Sequence, residues 1–207
     1  MTKISERGMI FNAEMVRALL DGRKTQTRRP IKWKQTRFTE IGEREDGSKW
    51  PWSEDAEHAC VFWHPCPFGA VGDRIWVREA FRVHSRATDV ATLVYKASER
   101  NSWTEQTRRV PVAVCNKPAT PEKWTPSLHM PRWASRILLE ITGVRVERLR
   151  SMSQDDARAE GVIAASGPME AGLAFRELWD SIYGEESWKA NPWVWVIEFK
   201  RVEGGAA

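Results

Sequence analysis

Cysteine is scarce in this sequence: Cys60, Cys66 and Cys115 are the only three among 207 residues. Their odd number, with no apolar leader-like run over residues 1–7, predicts reduced thiols and a cytoplasmic location. No stretch approaches the roughly 18 consecutive apolar residues of a membrane-spanning helix, so no membrane partner is expected. No repeat recurs and no linker divides the chain, so a single domain over residues 1–207 is expected. A strong charge of one sign is missing too. The formal net charge is +4, a mild basic bias that is compatible with a polyanionic partner and does not demand one.

Tryptophan, by contrast, is abundant, with 12 residues. That favours a rigid folded chain with stacking or interface surfaces over a disordered one. Arginine is locally dense at residues 23–29, at Arg108-Arg109 and over residues 132–150. Local density matters more than the total, because attraction to phosphate acts over a Debye length of ~8–10 Å.

Periodicity places the elements. Asn12 reads as the N-cap of a short helix with Met15, Val16, Leu19 and Leu20 as its apolar stripe, and Gly22 stands where a helix-terminating glycine belongs. Lys24 to Arg29 then leave the helix end as a turn or short strand. Residues 30–72 are polar and interrupted by Trp and Pro, with Asp46-Gly47 as a turn signal, and read as a partly irregular insertion. Alternation predicts strands over residues 74–81 and 92–95, and one long bent strand or a hairpin around Gly143 over residues 135–149. Ser153 with Asp156 predicts a capped helix through Glu160. Residues 171–182 predict a helix burying Leu173, Phe175, Leu178, Trp179 and Ile182, ended by Gly184. Residues 193–199 read as a closing strand, so the class is α+β.

Five segments in this order resemble the ASCH domain family, a branch of the PUA-like superfamily. They are Gly22-Arg23-Lys24-Thr25-Gln26-Thr27-Arg28 after a helix, then residues 72–77, 139–142, 156–161 and 195–199. Together they span nearly the whole chain. The stretches at about 30–70 and 84–132 are expected to be insertions relative to the smallest members. With residues 127–136, the chain is similar to the longer ASCH-type proteins of bacteria and their phages. The resemblance implies a small curled PUA-like β-barrel with flanking helices, and a basic cleft that binds RNA or a nucleoside. One ASCH branch is an amidohydrolase that removes the acetyl group of N4-acetylcytidine. Its catalytic lysine and threonine lie in a Gly-Arg-Lys-Thr-x-Thr loop and its glutamate on a helix after the central strands. By position this implies catalytic roles for Lys24, Thr27 and Glu160, with Asp156 and Glu170 as neighbouring acidic alternatives. No cofactor is implied.

The residues suit that chemistry. Amide hydrolysis needs a nucleophile, a base and an acid for the leaving amine. Thr27 offers a hydroxyl. Lys24 can serve as base only if its pKa falls, which burial and the like charges of Arg23, Arg28 and Arg29 favour. Glu160 can act as the acid, or can pair with Lys24 and hold it charged. The alternative is a binding module without catalysis, in which Arg23, Lys24, Arg28 and Arg29 contact phosphates and Trp33, Trp50, Trp52 and Trp63 stack on unpaired bases. Arg78, His129, Arg132 and Trp133 are further ligand-binding candidates, with Glu79 as the expected partner of Arg78. His58, Cys60, His64 and Cys66 have ligand-capable side chains but lack paired Cys-x-x-Cys spacing, so no metal is assigned to them.

Overall fold

The computed structural model describes residues 4–32, 39–55, 60–163 and 170–202. Its elements follow in the order β1 (Glu6–Ile10), α1 (Ala13–Leu20), β2 (Gln26–Pro30), β3 (Thr39–Glu43), β4 (Lys49–Asp55), β5 (Cys60–Trp63), β6 (Arg74–Arg78), β7 (Phe81–Arg86) and β8 (Val90–Tyr95). After these come α2 (Trp103–Gln106), β9 (Thr107–Pro111), β10 (Leu138–Arg148), α3 (Gln154–Ala159), α4 (Glu170–Tyr183), α5 (Glu185–Ala190) and β11 (Trp193–Arg201). The class is mixed α+β, as expected. No sheet closes into a barrel among the described residues, which departs from the curled barrel expected. None of the described helices is long and apolar enough to cross a membrane. The chain forms two compact units, the first from residues 1–22, 74–140 and 201–207, the second from residues 23–73 and 141–200.

In the first unit Asn12 caps α1 by accepting the Met15 N–H at 2.8 Å, and Met15, Val16, Ala18 and Leu19 are buried. Gly22 takes φ of 74°, the left-handed turn that a Cβ would strain. β1, which periodicity does not reveal, pairs in parallel with β6, and β6 pairs antiparallel with the first residues of β10. The strand expected over residues 74–81 is two strands broken at Glu79-Ala80. Glu79, at the break, is buried in an ion pair: both of its carboxylate oxygens accept from Arg136, at 2.9 and 3.0 Å. Arg136, not Arg78, is therefore the partner of Glu79. Burial raises the Glu79 pKa while Arg136 pulls it down, and burial prevails. β7, β8 and β9 form an antiparallel meander whose inner side chains Phe81, Val83, Ala91, Leu93, Tyr95 and Val110 build a core with Met130 and Ala134.

In the second unit β2 pairs antiparallel with β11, which neighbours β10. β10 is one continuous strand through Gly143, not a hairpin. A Cβ on Gly143 would stand 2.8 Å from the Glu198 carboxylate, so glycine lets the strand pass close to that side chain. Ser153 and Asp156 make the reciprocal capping box of α3. Ala171, Phe175 and Trp179 of α4 join Leu149, Ala157, Val194 and Val196 in a core. Leu173 and Ile182, expected to be buried, are 61% and 41% exposed. The insertion read as partly irregular holds a three-stranded antiparallel sheet, β3–β4–β5. There Trp50 meets Trp195 edge to face at 5.0 Å and carries the Arg44 guanidinium at 4.0 Å.

Candidate functional site

The loop after Gly22 does not project into solvent. Its backbone is tied to the end of α3, with a bridge between Lys24 and Glu160 and a hydrogen bond from Thr25 N–H to the Ala159 carbonyl at 2.8 Å. Glu160 follows α3 as its C-terminal cap. The Lys24 side chain is fully buried, and its Nζ donates to the Glu160 carboxylate and to the Glu160 carbonyl, both at 2.8 Å. Burial is the largest influence on Lys24 and pulls its pKa below 10.5. Glu160 opposes that pull, while Arg29 and Arg28 add to it.

Arg28 is equally enclosed, with a side chain 0% exposed. It donates to Glu160 at 3.1 Å, binds Glu147, and lies 3.4 Å from Asp156. Gln26, on the same side of β2, donates to the Asp156 carbonyl at 2.9 Å and its carboxylate at 3.2 Å. Arg145 extends the network to Glu147, Asp156 and Glu198. Burial alone would raise the Asp156 pKa. Hydrogen bonds from Ser153 and Gln26, with the charge of Arg28, outweigh it and hold the carboxyl well below 3.8. Lys24, Arg28 and Arg145 thus face Glu147, Asp156, Glu160 and Glu198. Lys24, Arg28 and Glu160 are the buried members, and each alone would be costly; together they compensate one another.

Thr27 is 1% exposed and pairs with Ile197, and no hydrogen bond joins it to Lys24 or Glu160 among the described residues. Arg23 donates to the Gly161 carbonyl, and Arg29 reaches the Tyr183 hydroxyl at 3.4 Å. Lys24 and Arg28, expected among phosphate contacts, are instead occupied by carboxylates. A cleft of about 340 Å³ borders this network, lined by Thr25, Gln26, Thr142, Ser153, Asp155, Asp156, Ala159, Glu198 and Phe199. Lys24 and Glu160 do not line it, but their chain neighbours do. The lining holds three carboxylates and no lysine or arginine, so it is not the basic cleft expected from the sequence.

Arg78, His129, Arg132 and Trp133 lie in the first unit. Arg78 donates to the Ser127 and Leu128 carbonyls. His129 is exposed on the turn formed by Ser127–His129. Arg132 pairs with Glu6 at 2.9 Å, and Trp133 meets Phe81 edge to face at 6.3 Å. Trp33 and His58 lie outside the described residues, as does the Cys60 side chain. Sequence reasoning passed over Gln26, Arg145, Glu147 and Glu198. The two-residue spacing of Arg145 and Glu147, which puts both on one face of β10, was the signal available.

No protein-family model matches the chain, and no curated protein matches it. A solved structure described as "High resolution crystal structure of ASCH domain from Lactobacillus crispatus JV V101" is similar over 95% of this chain and 79% of that one, with 14% sequence identity and a TM-score of 0.40.

Proposed function

We propose that the second unit hydrolyses an uncharged, amide-bearing nucleoside of the N4-acylcytidine kind. Lys24 accepts the proton, Glu160 is its carboxylate partner and Thr27 is the nucleophile. The observation that carries this reading is a fully buried Lys24–Glu160 pair whose lysine titrates below its ordinary value. A neutral amine has two hydrogens and one lone pair. In that neutral form Lys24 would give its two hydrogens to the two Glu160 acceptors and keep the lone pair for a proton. The Thr27 hydroxyl then adds to the amide carbonyl, and because no hydrogen bond joins it to Lys24 among the described residues, its proton passes there through one bridging water. Collapse breaks the C–N bond, and Lys24 returns the proton to the leaving amine. Water hydrolyses the Thr27 ester, releasing the acid and restoring the hydroxyl. The loop's resemblance to the Gly-Arg-Lys-Thr-x-Thr loop supports the same assignment. The three carboxylates of the neighbouring cleft favour an uncharged nucleoside over a phosphorylated one.

The test is acetate release from N4-acetylcytidine by the full chain, with the 5′-monophosphate as the charged comparison. Wild type is expected to release acetate faster from the nucleoside, at a rate that rises with pH through the lowered Lys24 value. Lys24→Met and Thr27→Ala are each expected to lose about 10²–10⁴-fold. No release by wild type, or full activity in folded Lys24→Met, overturns the proposal.

A further inference from the structure

We infer that the β3–β4–β5 sheet of the second unit docks a basic, extended segment of a partner protein along the outer edge of β5. β5 is the last strand of this sheet and pairs only with β4 among the described residues. The His64 N–H binds the Pro51 carbonyl, so Phe62, two residues earlier, also turns its backbone groups toward β4. Alternation then turns the N–H and C=O of Val61 and Trp63 outward, where a further strand can pair with them. Edge strands are usually guarded by proline, lysine or a bulge. β5 has neither proline nor lysine, and its pairing with β4 shows no register shift. Its two rings are open instead, Phe62 by 56% and Trp63 by 39%.

Charge identifies the occupant. Residues 40–63 carry seven acidic side chains and two basic ones, a net charge of −5 in a chain whose total is +4. Both basic side chains are engaged. Lys49 pairs with Glu43, and the Arg44 guanidinium lies over Trp50 at 4.0 Å and Trp63 at 5.3 Å. Glu40 and Glu45 are exposed and make no ion pair among the described residues. Gly42 lets the indoles lie close against β3, because a Cβ there would stand 2.5 Å from Trp52 and 3.1 Å from Trp63. The edge is thus acidic, lined by rings and already in contact with a guanidinium. A strand bearing lysine or arginine supplies the opposite charge, sets its cations against the same kind of ring and pairs with the open backbone groups. The same carboxylates repel phosphate, so the edge selects a protein segment over a nucleic acid.

The experiment is fluorescence anisotropy of a labelled peptide of alternating lysine and valine, about eight residues long, with the full chain. Wild type is expected to bind it, and to bind the matching glutamate–valine peptide about tenfold more weakly or worse. Phe62→Ser is expected to weaken binding of the basic peptide about tenfold, through loss of an aromatic anchor. Glu40→Lys combined with Glu45→Lys should weaken it by about as much and flatten its salt dependence. All three positions are exposed, and circular dichroism verifies that the variants fold. Methylating the backbone nitrogens of the peptide should abolish binding, because strand addition uses those N–H groups. Lys24→Met should bind as wild type does, which separates this result from the hydrolase test. No binding, or equal binding of the glutamate–valine peptide, overturns the inference. Binding that survives both Phe62→Ser and backbone methylation reduces the edge to a general acidic patch and also overturns it. Self-association in sedimentation velocity that is lost in Phe62→Ser and unaffected by the peptide assigns the edge to a second copy of the chain, which overturns it as well.

Discussion

Arg28 and Arg82 are both strand arginines, both stand beside an aromatic ring, and their surroundings are opposite. Arg28 on β2 is enclosed in the second unit and faces Glu147, Asp156 and Glu160. Arg82 on β7 in the first unit lies over Trp124 and meets no carboxylate among the described residues. The densest run of positive charge in the sequence is therefore spent inside the protein, where it orders carboxylates and depresses the Lys24 pKa. Arg109, in the insertion at about 84–132, is exposed instead. Charge density along a chain does not measure surface potential, because partners distant in sequence decide which charges survive folding.

The comparison breaks most readily at Glu160. Glu160→Ala removes an anion that both Lys24 and Arg28 use, and leaves two cations buried with less compensation. It is expected to destabilise the fold by about 3–5 kcal/mol in urea unfolding. Glu160→Gln keeps the shape and one acceptor oxygen and should cost less. If the alanine variant is as stable as wild type, the second unit's cations are not held by this network and the contrast with Arg82 fails.

Acid separates the two units by sign. The folded pKa of Asp156 lies below its unfolded 3.8. Its contribution to stability is therefore complete above 3.8 and is lost as pH falls through the lower folded value. Glu79 in the first unit is raised above 4.5. Between 4.5 and its folded pKa the folded state holds the extra proton, so stability falls as pH rises through that window. Asp156→Asn should flatten the first slope and Glu79→Gln the second, each read from unfolding midpoints across the acid range. Slopes of the same sign in the two variants would contradict the assignment of burial as the dominant influence on Glu79.

Much of the architecture was legible because its signals are local. The Asn12 cap, the Ser153–Asp156 capping box, the glycine after α4 and the alternation of β11 each lie within a few residues of what they control. β1 was not legible: Glu-Arg-Gly-Met-Ile has no alternation, and its partner β6 lies some 68 positions on in sequence. The β3–β5 sheet was missed because Trp and Pro in β4 looked like interruptions rather than strand residues. At the site, the resemblance pointed to Lys24, Thr27 and Glu160, and the first and last of these do meet. The burial of Arg28 could not be read, because its carboxylates come from positions 147, 156 and 160, which only folding brings to β2. The same distance hid the acidic lining of the cleft.

The smallest effect is the sharpest check on the other side of the comparison. Arg109 is exposed, sits opposite Thr92 on the outer face of β8–β9, and makes no ion pair among the described residues. Arg109→Ala should therefore change stability by no more than about 0.5 kcal/mol, the usual range for a surface position without a structural partner. Arg28→Ala, at a strand position of the same residue type, should cost several times that, because it removes a buried cation that Glu147, Asp156 and Glu160 share. The ratio of the two losses in one denaturation series is the quantity that matters. Equal losses would mean that the first unit's arginines are also structural, and the contrast with Arg28 would fail.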